Sequence, residues 1–321
     1  MKIAIIGAGL AGLTLASRLA PAHDVTVFEK ARGPGGRMST RRADPFVFDH
    51  GAQYFTAETT DFRAFLDHLD ANALIAGWPA MIDLRDGAKV SSKPKWVATP
   101  SMNAICKWLA REIDVRTQTH IARLIEHREG WQIETRDSAV FGPFDWVVST
   151  APSVQTAALM PEGFVHQETL SQVEMHGCFA LMLGFDSAME LGWQAMKSGS
   201  EPIGWMAVNS EKPERQTSCS ILVQSNNAWA QAHLDDPSER VQATLLAAAS
   251  ALAEVDLSRA THQSLHRWRY ASTPKPAGLP YLLDPDLRLA ACGDWCLGSK
   301  VEAAFESARA LAEQFQSMSK A

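Results

Sequence analysis

The run KIAIIGAGLAG at residues 2–12 constrains this chain more than any other segment. A short apolar strand turns through Gly7, Gly9 and Gly12 straight into a helical pattern. Backbone N–H groups and the positive end of the helix dipole then face one point, which suits a dinucleotide pyrophosphate. Gly7 makes the tight turn, Gly9 lets a phosphate approach, and Gly12 lets the helix pack close on the strand. Leu10 and Ala11 complete the turn. A second strand, VTVFE at 25–29, delivers Glu29, with Lys30 beside it. An acid about twenty residues after the glycine turn can accept hydrogen bonds from adenosine ribose hydroxyls.

The next segment, EKARGPGGRMST at residues 29–40, resembles the second half of the FAD signature of the glutathione-reductase-like flavoproteins, the group containing the amine oxidases. That resemblance implies FAD where the glycine turn alone would suggest NAD. In it, Gly35 and Gly36 permit a close backbone approach, and Arg37, followed by Met38, brings a guanidinium to the flavin side of the pyrophosphate. Near the other end of the chain, LAACGD at 289–294 resembles the family's terminal strand, which implies that Gly293 and Asp294 meet the flavin ribityl chain.

Ser299 and Glu302 have the spacing of a capping box. The helix they open carries Val301, Ala304, Phe305, Ala308, Leu311, Ala312 and Phe315 on one face. Its first turn, with Val301, Glu302 and Ala303, is expected to point at the isoalloxazine, where the dipole would stabilise negative charge on the reduced ring. The family often has Ser-Gly in this helix, whereas this chain has Ser307-Ala308.

At 321 residues and 46% hydrophobic, the chain can bury a full core in two connected lobes. The net charge is −6, and no Lys/Arg run is dense enough for a phosphate-backbone groove, so nucleic acid is not an expected partner. Five cysteines, Cys106, Cys178, Cys219, Cys292 and Cys296, are scattered without Cys-x-x-Cys spacing. They suit a reducing cytoplasm and imply neither a disulfide framework nor a metal site. Cleaving the N-terminus as a secretory signal would remove the glycine turn itself. No apolar run approaches the roughly twenty residues of a membrane span, and the sequence closes at Ser319-Lys-Ala without a hydrophobic tail. A soluble cytoplasmic protein is expected.

Periodicity predicts a strand at 46–48 leading to Asp49, His50 and the glycine segment Gly51, Ala52, Gln53, Tyr54, and a helix over 61–69. A hairpin tip is expected at 85–88, a short strand at 96–98, a helix capped by Ser101 running to Arg111, and a hairpin around 128–130. The run at 146–152 reads as a buried strand ending at a proline. Longer alternating strands follow at 179–185, 204–208, 218–224 and 264–271, with a helix over 238–254. The expected class is α/β: a Rossmann-like FAD-binding domain from 1–60, 100–155 and 285–321, interleaved with a mixed-sheet substrate domain from 61–99 and 156–284.

Three segments, DHGAQYF at 49–55, HRWRYA at 266–271 and GDWCLG at 293–298, resemble the renalase family more closely than monoamine or polyamine oxidases. With NNAWA at 226–230 and the overall length, this likeness covers almost the whole chain. It implies a p-hydroxybenzoate-hydroxylase-like arrangement, noncovalent FAD, and oxidation of dihydronicotinamide dinucleotides that carry the hydride at C2 or C6. Reduced flavin would then pass electrons to O2. Loss of hydride makes such a ring aromatic and needs no protein base, so positioning suffices.

An amine oxidase is the alternative, and a flavin-bound sensor without turnover is a third. Gly51, Ala52, Gln53 and Tyr54 are expected beside the flavin. Tyr54, Trp268, Arg269, Tyr270 and Trp295 are candidates for the substrate pocket, Trp268 and Tyr270 lying on one strand face and Arg267 and Arg269 on the other. His50 and His266 read as hydrogen-bonded scaffolding. Lys300 opposes the dipole of the terminal helix, which hints at a task near the cofactor.

Overall fold

Two six-stranded sheets organise the chain in a computed structural model, which describes residues 1–215 and 217–318. Residues 319–321, the end of the segment expected to close the cofactor lobe, lie outside the described residues. The first sheet runs in the order Leu282–Asp284, Leu289–Ala291, Trp146–Ser149, Lys2–Ile6, Asp24–Phe28, Asp114–Arg116. Its pairings are parallel except at the Leu282–Asp284 edge.

Both faces of this sheet are covered, which explains why its central strands read as unbroken apolar runs. Ile3 and Ile5 point to the side where the fingerprint helix Leu10–Leu19 and the terminal helix Val301–Met318 pack, through Leu13, Ala16, Ala308, Leu311 and Ala312. Ala4 and Val147 point the other way, onto Trp131, Ile133 and Phe144 of an antiparallel three-stranded ribbon. Alternation along Lys2–Ile6 thus sorts neighbours into two separate cores.

The second sheet runs His262–Lys275, Glu174–Gly184, Ser220–Ser225, Ile203–Val208, Ala195–Ser198, Ile82–Arg85. On one face Phe179, Leu181 and Leu183 meet Val241, Leu245 and Ala249 of the helix Ser238–Ala253. On the other, Ala180, Met182 and Leu222 meet Phe46 and Phe48. The strand Phe46–Phe48 is therefore fixed against the second sheet just before it delivers Asp49 to Tyr54.

Two expectations are corrected. Residues 85–88 form a turn, with Asp86 and Gly87 at positive φ, but no hairpin. The strand before them, Ile82–Arg85, pairs in parallel with the distant strand Ala195–Ser198. The helix expected from Ser101 to Arg111 is Ala104–Leu109 followed by a 3-10 turn, Ala110–Glu112. The Ser101 hydroxyl bonds the Asn103 side chain instead of capping the helix.

Candidate functional site

The glycine turn has the shape a pyrophosphate requires. Gly7 lies at φ +112°, and a Cβ on Gly12 would sit 2.0 Å from the Gly7 carbonyl oxygen, so the helix touches the strand end with no room for a side chain. Gly9 precedes the helix, no side chain caps it, and the first turn carries no acid. Its leading N–H groups have no partner within the helix. Beside them, a Cβ on Gly36 would lie 3.2 Å from the Gly9 Cα, so two glycine backbones meet face to face.

Glu29 is buried at the edge of this turn, its two oxygens accepting from the N–H of Ala8 at 2.8 Å and of Ala31 at 2.7 Å. A carboxylate has about four acceptor sites, so these two bonds fix the group and leave capacity for ribose hydroxyls. Lys30 reaches Gln155 at 3.2 Å on the surface. Leu10, Ala11 and Met38 are buried in the first core.

Arg37 joins the two ends of the chain. Its guanidinium forms an ion pair with Asp294 and donates to the Ala271 carbonyl at 3.4 Å. Its own carbonyl accepts from Ala52 N–H at 2.8 Å, and a Cβ on Gly51 would lie 1.9 Å from that same oxygen. Gln53 is buried and donates back to the carbonyls of Asp49 and Gly51, and Gln224 also donates to Gly51. Gly35 to Met38, Gly51 to Gln53 and Gly293-Asp294 are thereby tied into one wall.

The capping box is not formed. Ser299 Oγ accepts from Thr273 N–H, and the Glu302 carboxylate accepts from Glu58 N–H at 2.9 Å and Thr59 N–H at 2.7 Å. Ser299 thus holds the strand His262–Lys275, and Glu302 holds the residues that lead into the helix Thr60–Ala71. Val301 and Ala303 stand in the same first helical turn. Lys300 is exposed and paired with Glu58 at 2.9 Å, which accounts for its charge without a cofactor.

Behind the wall lies a buried charge cluster that the sequence reading missed. Asp49 Oδ2 accepts from Arg215 Nε at 3.0 Å and Nη2 at 2.7 Å, and Oδ1 accepts from Thr40 at 2.7 Å and Met102 N–H at 3.0 Å. Burial pushes the Asp49 carboxyl up, but Lys212, Arg215, Met102 N–H and Thr40 more than offset it and hold it below the usual range. Lys212 Nζ is 3.8 Å from that carboxylate and donates to Gln53 Oε1 at 3.1 Å. Burial pulls its ammonium down to about 8, against the pull of Asp49 the other way. One buried carboxylate thus faces two buried cations. The sequence cue is thin, because Lys212-Pro-Glu-Arg215 reads as a solvated turn.

Lys212 also lies 5.4 Å over the ring of Trp78. Trp78, Tyr54 and Trp205 form a triangle with ring centres 5.5 to 6.4 Å apart, and Lys95 sits 5.8 Å over Tyr54. A second aromatic group joins His50, His266 and Trp268, with ring centres 4.4 to 5.0 Å apart. Trp268 Nε1 donates to the His50 carbonyl at 2.8 Å. Burial, then the charges of His266 and Arg41, lowers His50 to about 4, and burial with Arg41 does the same to His266. Both rings are therefore neutral near pH 7.

Of the pocket candidates, Tyr54, Trp268 and Tyr270 are half-buried. Arg269 is corrected: strand alternation turns it outward, where it is exposed and paired with Asp235 at 3.0 Å. Trp295 is corrected too. It is fully buried in the ribbon-side core, and its indole donates to the Ala151 carbonyl at 3.0 Å. An open cavity of about 580 Å³ near Arg18, Trp108, Arg111 and Phe305 includes none of the glycine-turn residues in its lining.

The NAD(P)-binding Rossmann-like domain model matches residues 5–69, and the model of flavin containing amine oxidoreductases matches residues 83–315. Over 52 residues the chain is 54% identical to 4,4'-diapophytoene desaturase (4,4'-diaponeurosporene-forming) of Staphylococcus aureus strain Newman. That stretch is 16% of this chain, which spans only 10% of the length of that relative.

Three solved structures share the whole fold. One, from Exiguobacterium sp. 255-15 and assigned as a protoporphyrinogen oxidase, superposes with TM-score 0.77 at 12% identity, covering 98% of each chain. A putrescine oxidase triple mutant with redesigned cofactor binding gives 0.71 at 11%, covering 99% of each. An oxidoreductase from Methanosarcina mazei gives 0.71 at 15%, covering 98% of this chain and 100% of that one. At these identities the likeness is one of fold.

Proposed function

Because this chain belongs to the flavin containing amine oxidoreductases, whose cofactor is FAD, we propose that it is a renalase-type oxidase of dihydronicotinamide dinucleotides bearing their hydride at C2 or C6. The substrate loses a hydride and becomes NAD(P)+, and O2 with one proton becomes hydrogen peroxide. FAD, held noncovalently, supplies the two-electron acceptor when bound. The turn from Gly7 to Gly12 and Glu29 take its adenosine and pyrophosphate, while Gly35 to Met38, Gly51 to Tyr54, Asp294 and residues 301–303 flank the rest. The lobes are those given by residues 1–60, 100–155 and 285–321 against 61–99 and 156–284, and the compartment is the cytoplasm.

The charge balance next to Gln53 and Tyr54 supports this substrate over an amine. Asp49 is already committed to Arg215, and Lys212 and Lys95 add positive charge beside the Tyr54 ring and the Trp78 ring. Amines arrive at neutral pH as cations and would be repelled there, whereas a neutral dihydropyridine would not. A dihydropyridine also needs no base, which fits a cluster whose two histidines, lowered to about 4, are weak proton acceptors and whose one buried carboxylate is occupied. The amine reading keeps one support, the triangle of aromatic rings, since rings can flank a neutral amine.

Oxygen uptake tests the proposal. Purified holoenzyme given 2- or 6-dihydroNAD(P) should consume O2 and release NAD(P)+ and hydrogen peroxide in equal amounts. Oxygen uptake with primary or secondary amines and none with the dihydro isomers would overturn it, and uptake with neither would favour a sensor.

A further inference from the structure

Among the described residues, eight buried side-chain polar atoms have no hydrogen-bond partner, and two of them, both indole N–H donors, belong to neighbouring rings. Trp78 and Trp205 are 3% and 8% exposed, and the indole N–H of each lacks a hydrogen-bond partner. Their ring centres are 6.4 Å apart. Lys212, with three N–H donors and a side chain that is 0% exposed, donates to Gln53 and has its Nζ 5.4 Å from the Trp78 ring centre. A buried donor left unpaired has given up its hydrogen bond to water and gained none in return. Asp49 does not relieve the shortage, because its oxygens already accept from Arg215, Thr40 and Met102. Tyr54, half-buried and 5.5 Å from the Trp205 ring, is the more accessible wall of the group.

We propose that Lys212, Trp78 and Trp205, with Tyr54 as the stacking wall, form a subsite for a planar conjugated ring bearing a carbonyl acceptor. On the function proposed above, on which this rests, the ligand is the dihydronicotinamide ring and the acceptor its carboxamide oxygen. A flat ring lies against Tyr54 by offset stacking. Its carbonyl oxygen, with two lone pairs, takes N–H bonds from the ammonium and an indole. A carboxylate shares the acceptor chemistry and gains from the same ammonium, so a carboxamide and a carboxylate are tested side by side.

Holoenzyme is titrated with benzamide, benzoate and the acceptor-free ring benzene, and binding is read from perturbation of the flavin absorption band. The parent is expected to bind benzamide and benzoate more tightly than benzene. Lys212→Met leaves Asp49 and Arg215 as a balanced pair, and Trp205→Phe keeps a ring while removing the N–H, so both should retain flavin. Each should weaken the carbonyl ligands about tenfold or more and leave benzene unchanged. Equal binding of carbonyl ligands by parent and variants, or no preference over benzene in the parent, would overturn the subsite and leave structural water as the donors' partner. If the selective loss occurs while dihydronicotinamides are not oxidised, the subsite stands and the functional reading falls. If they are oxidised and the loss is absent, the reverse holds.

Discussion

Arg37 and Asp294, 257 positions apart in sequence, form an ion pair that closes the N-terminal glycine segment onto the C-terminal strand end. Arg37 keeps part of its side chain exposed at 28%, whereas Asp294 is 9% exposed. The guanidinium is therefore anchored on one side and open on the other, the posture of a group that meets an anion. The carboxylate that anchors it is the one expected near the ribityl chain, so a single pair couples the two ends of the proposed cofactor cradle.

Replacing Asp294 by asparagine should leave the Arg37 charge without its anion and loosen the cradle. FAD titration of the stripped protein, followed by flavin fluorescence quenching, is expected to show about tenfold weaker binding. Binding equal to the parent would mean that the pair does not position the cofactor.

Two glycine variants should separate folding from cofactor capture. In Gly12→Ala the new Cβ meets the Gly7 carbonyl at 2.0 Å, so strand and helix must part, and stability should fall together with FAD content. In Gly9→Ala the nearest Gly36 Cα is 3.9 Å away, an ordinary contact, so on the proposed reading the methyl group disturbs the pyrophosphate rather than the fold. Circular-dichroism melting should be near that of the parent for Gly9→Ala, with flavin content reduced; equal melting losses in both would contradict this.

Asp49→Asn should be among the most damaging single changes. It removes the only counter-charge in the buried Asp49, Arg215 and Lys212 cluster, and breaking such a buried pair costs about 3–5 kcal/mol. Urea denaturation monitored by tryptophan fluorescence should show the loss as a lower midpoint, and a variant within 1 kcal/mol of the parent would show that the cluster is not held by its charges.

Acid sensitivity should begin with His50 and His266. Each has its folded pKa lowered to about 4, so the unfolded chain binds protons first as pH drops below the ordinary histidine value. The stability they contribute is present above about pH 6.5 and is lost progressively as pH falls to about 4. Asp49, whose carboxyl is held low, adds a further loss at still lower pH. The urea midpoint should therefore slope downward from pH 6.5 to 4, and a His50→Phe, His266→Phe double variant should flatten that slope. An unchanged slope would assign it to other groups.

Thiol labelling should find one fast cysteine. Cys106 and Cys296 are buried with thiols pushed up to about 12, Cys178 to about 11, and Cys292 well above its ordinary value, while Cys219 is half-buried and raised less. Native protein with a thiolate-specific chromogenic disulfide should release about one equivalent quickly, at Cys219. Two or more fast equivalents would show that the core opens readily.

What was legible in the sequence was local. The strand Lys2–Ile6, its glycine turn and Glu29 lie within thirty residues, where spacing alone fixes geometry. The helix predicted over 61–69 is Thr60–Ala71, whose period stands in plain view, and four of the second sheet's six strands fall close to their expected positions because they are mostly apolar runs, whereas Ile82–Arg85 and Ala195–Ser198 were not expected as strands. The buried pairing of Asp49 with Arg215 spans 166 residues, and no local pattern distinguishes those charges from solvated ones. Ser299 and Glu302 had the spacing of a cap, yet tertiary partners took both side chains. Arg269 followed the strand alternation already visible in sequence and turned outward, while Trp295 was drawn into the core by an acceptor 144 residues away.

Anaerobic mixing of the flavin-loaded protein with 6-dihydroNAD, and separately with a panel of amines, separates the two substrate classes. The dihydronicotinamide should bleach the flavin band rapidly, with NAD+ as the product, and the amines should not. Bleaching by amines alone, or protein that will not take up FAD at all, would contradict this.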